Sequence, residues 1–147
     1  MRVKAAVRIV VDTKVMVSAL LWEGAPHEIL KWAEADQVTL CFTQPMLDEL
    51  IEVLERPKFK RRLQQRETSM HEITVGLLPL VELYMPVAAS GSVAIDPDDE
   101  IFIACALSAG ATVLVSGDAH LLNVKQYEKI KIMTPVDFLR SQNGVRP

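Results

Sequence analysis

Four carboxylates carry the chemistry open to this chain. Asp12 follows the apolar run VRIVV, Glu49 lies within a helical stretch, Asp99 opens a further helix and Asp118 follows a second apolar run. Carboxylates forced into one crevice repel one another and hold protons at neutral pH unless a divalent cation offsets the charge. The pattern therefore predicts a magnesium site and metal-dependent chemistry.

The elements that must position these acids alternate along the chain. Val7 to Val11 is a β-branched run and reads as a central strand; Lys14 to Trp22 and Pro26 to Ala35 read as helices around a Gly24-Ala25-Pro26 break. Val38 to Phe42 reads as the next strand, and Thr43 caps a helix from Pro45 to Glu55 that stops near Pro57. Helical segments fill Lys58 to Leu83, Tyr84 to Val87 reads as a short strand and Ala88 to Val93 as a loop. Asp96-Pro97-Asp98-Asp99 has the form of a helix start leading into Ile101 to Ala109. Thr112 to Val115 is a strand ending in the Ser116-Gly117-Asp118 turn. A short helix over Leu121 and Leu122, a strand at Ile130 to Met133 and a helix from Pro135 to Ser141 complete the pattern. Alternation of this kind predicts a parallel sheet of about five strands covered by helices.

Each acid also has a purely structural alternative. Asp12 sits where open α/β sheets place their ligands, at the carboxyl end of a strand, yet Asp-Thr before a helix also serves as an N-cap. On the Pro45 to Glu55 helix, Met46, Leu47, Leu50, Val53 and Leu54 form the buried stripe; Asp48, Glu52 and Glu55 point away, and Glu49 alone borders the stripe. An ordinary surface glutamate is its alternative. Asp96, Asp98 and Asp99 all stabilise a helix N-terminus by capping and the macrodipole, each by about 0.3 to 1 kcal/mol. Capping leaves their company unexplained, for Asp99 precedes the apolar face of Phe102, Cys105, Ala106 and Ala109, and Asp118 follows the next strand.

The 147 residues fit one domain with a sizeable core. Charged residues interrupt every apolar run well short of the roughly 18 residues a membrane span needs, and Arg8, Asp12 and Lys14 break any secretory segment at the N-terminus, so a cytoplasmic protein is expected. Cys41 and Cys105, with no CxxC spacing, read as reduced core thiols. The formal charge of −3 is uneven: RPKFKRRLQQR holds Arg56, Lys58, Lys60, Arg61, Arg62 and Arg66 and no acid, leaving 10 basic against 19 acidic residues elsewhere. A basic strip beside an acidic pocket suits a phosphodiester substrate, although a solvated helix face is the simpler alternative. His27, His71 and His120 lack ligand spacing, and no GxGxxG follows a strand, which argues against dinucleotide binding.

Together the segments VVDTKVMVSALLWEGAP, LDELIEVLERPKF, DPDDEIFIACALSAGA, VLVSGDAHLL and IMTPVDFL resemble the PIN domain (PilT N-terminus), in particular its short bacterial and archaeal toxin components of toxin-antitoxin pairs. The resemblance implies a Rossmann-like, three-layer α/β/α domain that binds Mg²⁺ or Mn²⁺ and hydrolyses RNA. Its metal-site and catalytic acids would be Asp12, Glu49, Asp99 and Asp118, with Asp96, Ser116 and Thr13 as accessory groups. Lys58, Lys60, Arg61, Arg62 and Arg66 would track the RNA backbone. A small antitoxin and a homodimer are the partners it implies. Lys14 departs from the family, which usually has asparagine there, and Glu100 is a smaller departure. An ammonium near the pocket competes with the metal for the same negative charge, so two expectations stand side by side: an active ribonuclease, or a weakened PIN fold kept to bind RNA or an antitoxin. A phosphoryl-transfer enzyme with Asp12 as nucleophile is disfavoured, because its usual second Asp would stand at Lys14.

Overall fold

The computed structural model describes residues 6–87 and 96–143. The β-branched run Val7–Val11 forms β1, its last three residues buried. The chain then turns into α1 (Thr13–Leu21) and α2 (Ala25–Glu34) before entering β2 (Val38–Phe42). Thr43 caps α3 (Gln44–Leu54), whose buried side chains are Met46, Leu47, Leu50 and Leu54. Val53 packs against the core from partial burial, which completes the stripe read from the sequence.

A 3-10 turn at Pro57–Phe59, α4 (Lys60–Gln65), α5 (Met70–Leu77) and a 3-10 turn at Leu78–Leu80 lead to β3 (Val81–Leu83). The strand expected at Tyr84 to Val87 therefore begins and ends three to four residues earlier. Only Tyr84 stays in reach of the ladder, donating to the Phe42 carbonyl at 2.8 Å, and Pro86 has no N–H to continue it. The loop expected at Ala88 to Val93 lies outside the described residues.

After them come α6 (Pro97–Ala109), β4 (Val113–Val115), α7 (Ala119–Val124), β5 (Gln126–Tyr127), β6 (Ile130–Met133) and α8 (Pro135–Asn143). Gly110, at φ 66°, ends α6 in the left-handed conformation that glycine adopts without steric cost. The six strands run in the order β3-β2-β1-β4-β6-β5. All neighbours are parallel except β5 and β6, which pair antiparallel as Gln126 with Lys131 and Tyr127 with Ile130. This two-residue edge strand is the addition to the expected five; it has too few residues to carry an alternating pattern.

Helices flank this mostly parallel sheet as expected, and α6 packs across β1, β2 and β4. Ile9, Val10, Leu114 and Val115 are wholly buried, as the central strands of a covered parallel sheet must be. Cys41 and Cys105 are free and buried, and burial pushes the Cys105 thiol up to about 12. No helix among the described residues is long and apolar enough to cross a membrane. From β1 the sheet grows towards β2 and β3 on one side and towards β4 and β6 on the other. The carboxyl ends of β1 and β4 thus flank the switch point where open α/β sheets bind ligands.

Candidate metal centre

Asp12 stands at that switch point. Its backbone N–H donates to the Val115 carbonyl at 3.0 Å, which ties the end of β1 to the end of β4. One carboxylate oxygen caps α1, accepting from the Val15 N–H at 2.8 Å. The other accepts from the Ser116 hydroxyl at 2.5 Å, the short separation of a charge-assisted bond. Both carboxylate oxygens are thus held, one by the start of α1 and one by the turn after β4. Ser116 is wholly buried and its oxygen also accepts from the Asp118 N–H at 2.9 Å, so one hydroxyl joins both strand-end acids.

Glu49 comes to the same place from α3. One of its oxygens accepts from the Thr13 hydroxyl at 2.7 Å, which fixes the carboxylate against the start of α1. Asp118 caps α7 by accepting from the His120 N–H at 2.9 Å, while Asp99 is buried in the first turn of α6. Asp12, Thr13, Lys14, Glu49, Asp99 and Asp118 all line one cleft of about 590 Å³. The four acids singled out from the sequence are thus brought together.

The accessory and basic residues divide. Ser116 lies behind Asp12 rather than on the cleft wall, and Asp96 is exposed, capping α6 through the Asp98 N–H at 3.0 Å; Asp98 lines the cleft in its place. Of the basic strip, Arg56 and Lys58 line the cleft, whereas Lys60 and Arg61 are exposed outside its lining. Arg62 Nε donates to the Leu21 carbonyl at 2.7 Å and Arg66 to the same oxygen at 3.4 Å, satisfying the free end of α1. Trp22 and Phe59, with Val17, Val53 and Phe102, form the apolar part of the wall. Arg56 belongs to the basic strip read from the sequence, and Trp22 and Phe59 read as packing residues or base-stacking ones; their place on the cleft wall follows from the fold.

Five acids and three cations line the cleft, so negative charge is in excess. Burial pushes Asp99 from its ordinary 3.8 up to about 6, helped by the charges of Asp118, Asp96 and Asp12 and by a hydrogen bond with Asp118. Burial also raises Asp12, against the lowering effect of its bonds from Ser116, Val15 and Gly117, with Asp118 adding to the rise. A cation would relieve both. Lys14 lines the cleft but is exposed, and it makes no ion pair among the described residues.

The donors are all oxygens, which suits a hard cation such as Mg²⁺ or Mn²⁺ rather than a soft one. Among the described residues no three His, Cys, Asp or Glu side chains converge closely enough to cage an ion by themselves. Mg²⁺ does not require such a cage: it keeps several waters and takes one or two carboxylates plus substrate phosphates. The residues present fit an ion held in that open manner.

Comparison with known proteins agrees with the fold. A chain of VapBC2 from Rickettsia felis, whose crystal structure holds it bound to a DNA fragment from its promoter, superposes with a TM-score of 0.55 at 15% identity, covering 85% of this chain and 96% of that one. A search of curated proteins returned no match. The sequence model of the PIN domain family matches residues 8–120, from β1 through the turn that carries Asp118. That span holds all four acids of the cleft, and the chain belongs to the PIN domain family.

Proposed function

We propose that the protein is a Mg²⁺- or Mn²⁺-dependent ribonuclease and the toxin of a toxin-antitoxin pair. The observation that carries this is the meeting of Asp12, Glu49, Asp99 and Asp118 in one cleft at the carboxyl ends of β1 and β4. Family membership supports hydrolysis, because PIN domains are generally nucleases. The likeness to a chain of VapBC2 supports an antitoxin partner, and a homodimer is part of the same proposal.

Asp12, Asp99 and Asp118 would hold the metal, one or two of them directly and the rest through its waters, and when bound it supplies Lewis-acid stabilisation of the phosphoryl oxygens and an acidified water. Glu49 would orient the attacking water or take its proton, and the Thr13 hydroxyl holds the carboxylate in place for this. Ser116 holds Asp12 and the Asp118 backbone in register. Lys58 sits on the cleft wall for a phosphate, with Lys60 and Arg61 exposed along the strand path. Arg62 and Arg66 would contribute charge while anchored on the Leu21 carbonyl.

Lys14 on the cleft wall favours a second reading, a weakened PIN fold that binds RNA or an antitoxin without cutting. One assay separates the two. Purified protein is incubated with single-stranded RNA and Mn²⁺ or EDTA, beside Asp12→Asn and Asp118→Asn. Asn caps helices as well as Asp does, so both variants should keep their far-UV spectrum while losing Mn²⁺-dependent cleavage. Retained cleavage removes these residues from the mechanism, and RNA binding without cleavage by the unsubstituted protein selects the binder.

A further inference from the structure

The apolar side of the cleft is built around an exposed tryptophan. Trp22 follows the last residue of α1 and keeps 40% of its surface exposed, yet its ring is held from two directions. Phe59 meets it edge to face at 6.2 Å between centroids, and the Arg62 guanidinium lies 5.3 Å from its centroid while anchored to the Leu21 carbonyl. Trp22 and Phe59 line the acidic cleft and Arg62 does not, so this cation backs the indole without lining the cleft. Arg56 and Lys58 line the same cleft, and Lys58 Nζ lies 5.1 Å from the Phe59 ring centroid. An indole fixed this way, in one cleft with two cations of the basic strip and the carboxylates, has the makings of a stacking platform next to a phosphate track.

We infer that Trp22 is the base-stacking platform of the cleft: its indole takes the face of an unpaired nucleobase of the substrate bound there. This deepens the ribonuclease reading and rests on it. A base inside a duplex has both faces covered by its neighbours, whereas an unstacked one offers its face to the indole without regard to its hydrogen-bonding edge. Selection by Trp22 is therefore for stacking strength rather than for a particular sequence.

The test separates binding from cleavage. Trp32 stands apart, packed at 6.1 Å against Phe138, so a Trp32→Phe background leaves Trp22 as the single indole reporter. A single-stranded RNA, its duplex, long enough that end base pairs are a small fraction, and an abasic strand of equal length are titrated in EDTA. The single strand is expected to quench Trp22 emission, and the duplex and abasic strand to leave it unchanged. In the native Trp32 background, Trp22→Leu should weaken single-strand affinity by about 5- to 150-fold, and Trp22→Tyr should restore it to within about twofold. Equal affinity of the Trp22→Leu variant and the unsubstituted protein, with cleavage retained, overturns the platform and leaves the nuclease reading standing. Quenching in EDTA with no cleavage of the same strand once Mn²⁺ is added supports the platform while refuting hydrolysis. Failure of every strand to quench Trp22 refutes the platform and points to a protein partner as what covers the indole.

Discussion

Asp99→Asn should stabilise the metal-free protein at neutral pH while destroying its response to metal. In the folded chain Asp99 holds its proton up to about 6, against an ordinary value of 3.8. Below 3.8 both folded and unfolded forms are protonated, so the carboxyl costs nothing there. Between 3.8 and about 6 the unfolded chain loses the proton first, so stability falls as pH rises, and above 6 the penalty is complete. At full value the displacement corresponds to about 3 kcal/mol. Because Asp99 opens onto a solvent-filled cleft, screening reduces this, and we take about 1 kcal/mol. An Asn amide can donate to Asp118 at every pH, as the protonated acid does only below about 6. Urea unfolding in EDTA at about pH 4 and about pH 7.5 should therefore show a difference near zero at the first and about 1 kcal/mol in favour of the variant at the second. Adding Mn²⁺ at about 100 times its dissociation constant should stabilise the unsubstituted protein by about 2.7 kcal/mol and the variant by much less, reversing their order. A difference that stays constant between the two pH values, or equal stabilisation of both by Mn²⁺, refutes the account of Asp99 as a buried, crowded ligand.

Thr13→Val removes the 2.7 Å bond that holds Glu49. A bond to a charged group is worth about 1.5 to 3 kcal/mol, so single-turnover cleavage should slow by about tenfold or more with substrate affinity unchanged; an unaltered rate would free Glu49 from any need of positioning. Lys14→Asn takes an exposed ammonium off the cleft wall, and at about 1 kcal/mol for a solvated charge pair the affinity for Mn²⁺ should rise about fivefold by calorimetry. No change would mean that Lys14 does not oppose the metal. Arg62→Gln and Lys58→Gln should part company. The first strips the Leu21 carbonyl of its nearest guanidinium donor and should lower the melting temperature, whereas the second should leave melting unchanged and reduce the salt slope of single-strand RNA binding by about 0.7. Equal melting losses would contradict the division between anchoring and phosphate-facing cations.

Sequence by itself determined the strand-helix alternation, the central position of VRIVV, the caps at Asp12, Thr43 and Asp96, and the partial burial of Glu49 among the exposed acids of α3. These were legible because they depend on short-range physics: side-chain periodicity, helix-end hydrogen bonding and the side of a stripe on which a residue falls. Tertiary structure decided the rest. Ser116 joins Asp12 to Asp118 only because β4 lies beside β1, a pairing between residues about a hundred positions apart in the chain. Arg62 and Arg66 looked the same as Lys58 in a basic run, yet the fold spends two guanidinium groups on a helix end and leaves Lys58 facing the cleft. Long-range packing, which raises Asp99 and brings Trp22 to the same cleft as the acids, joins distant segments, and no local pattern encodes it.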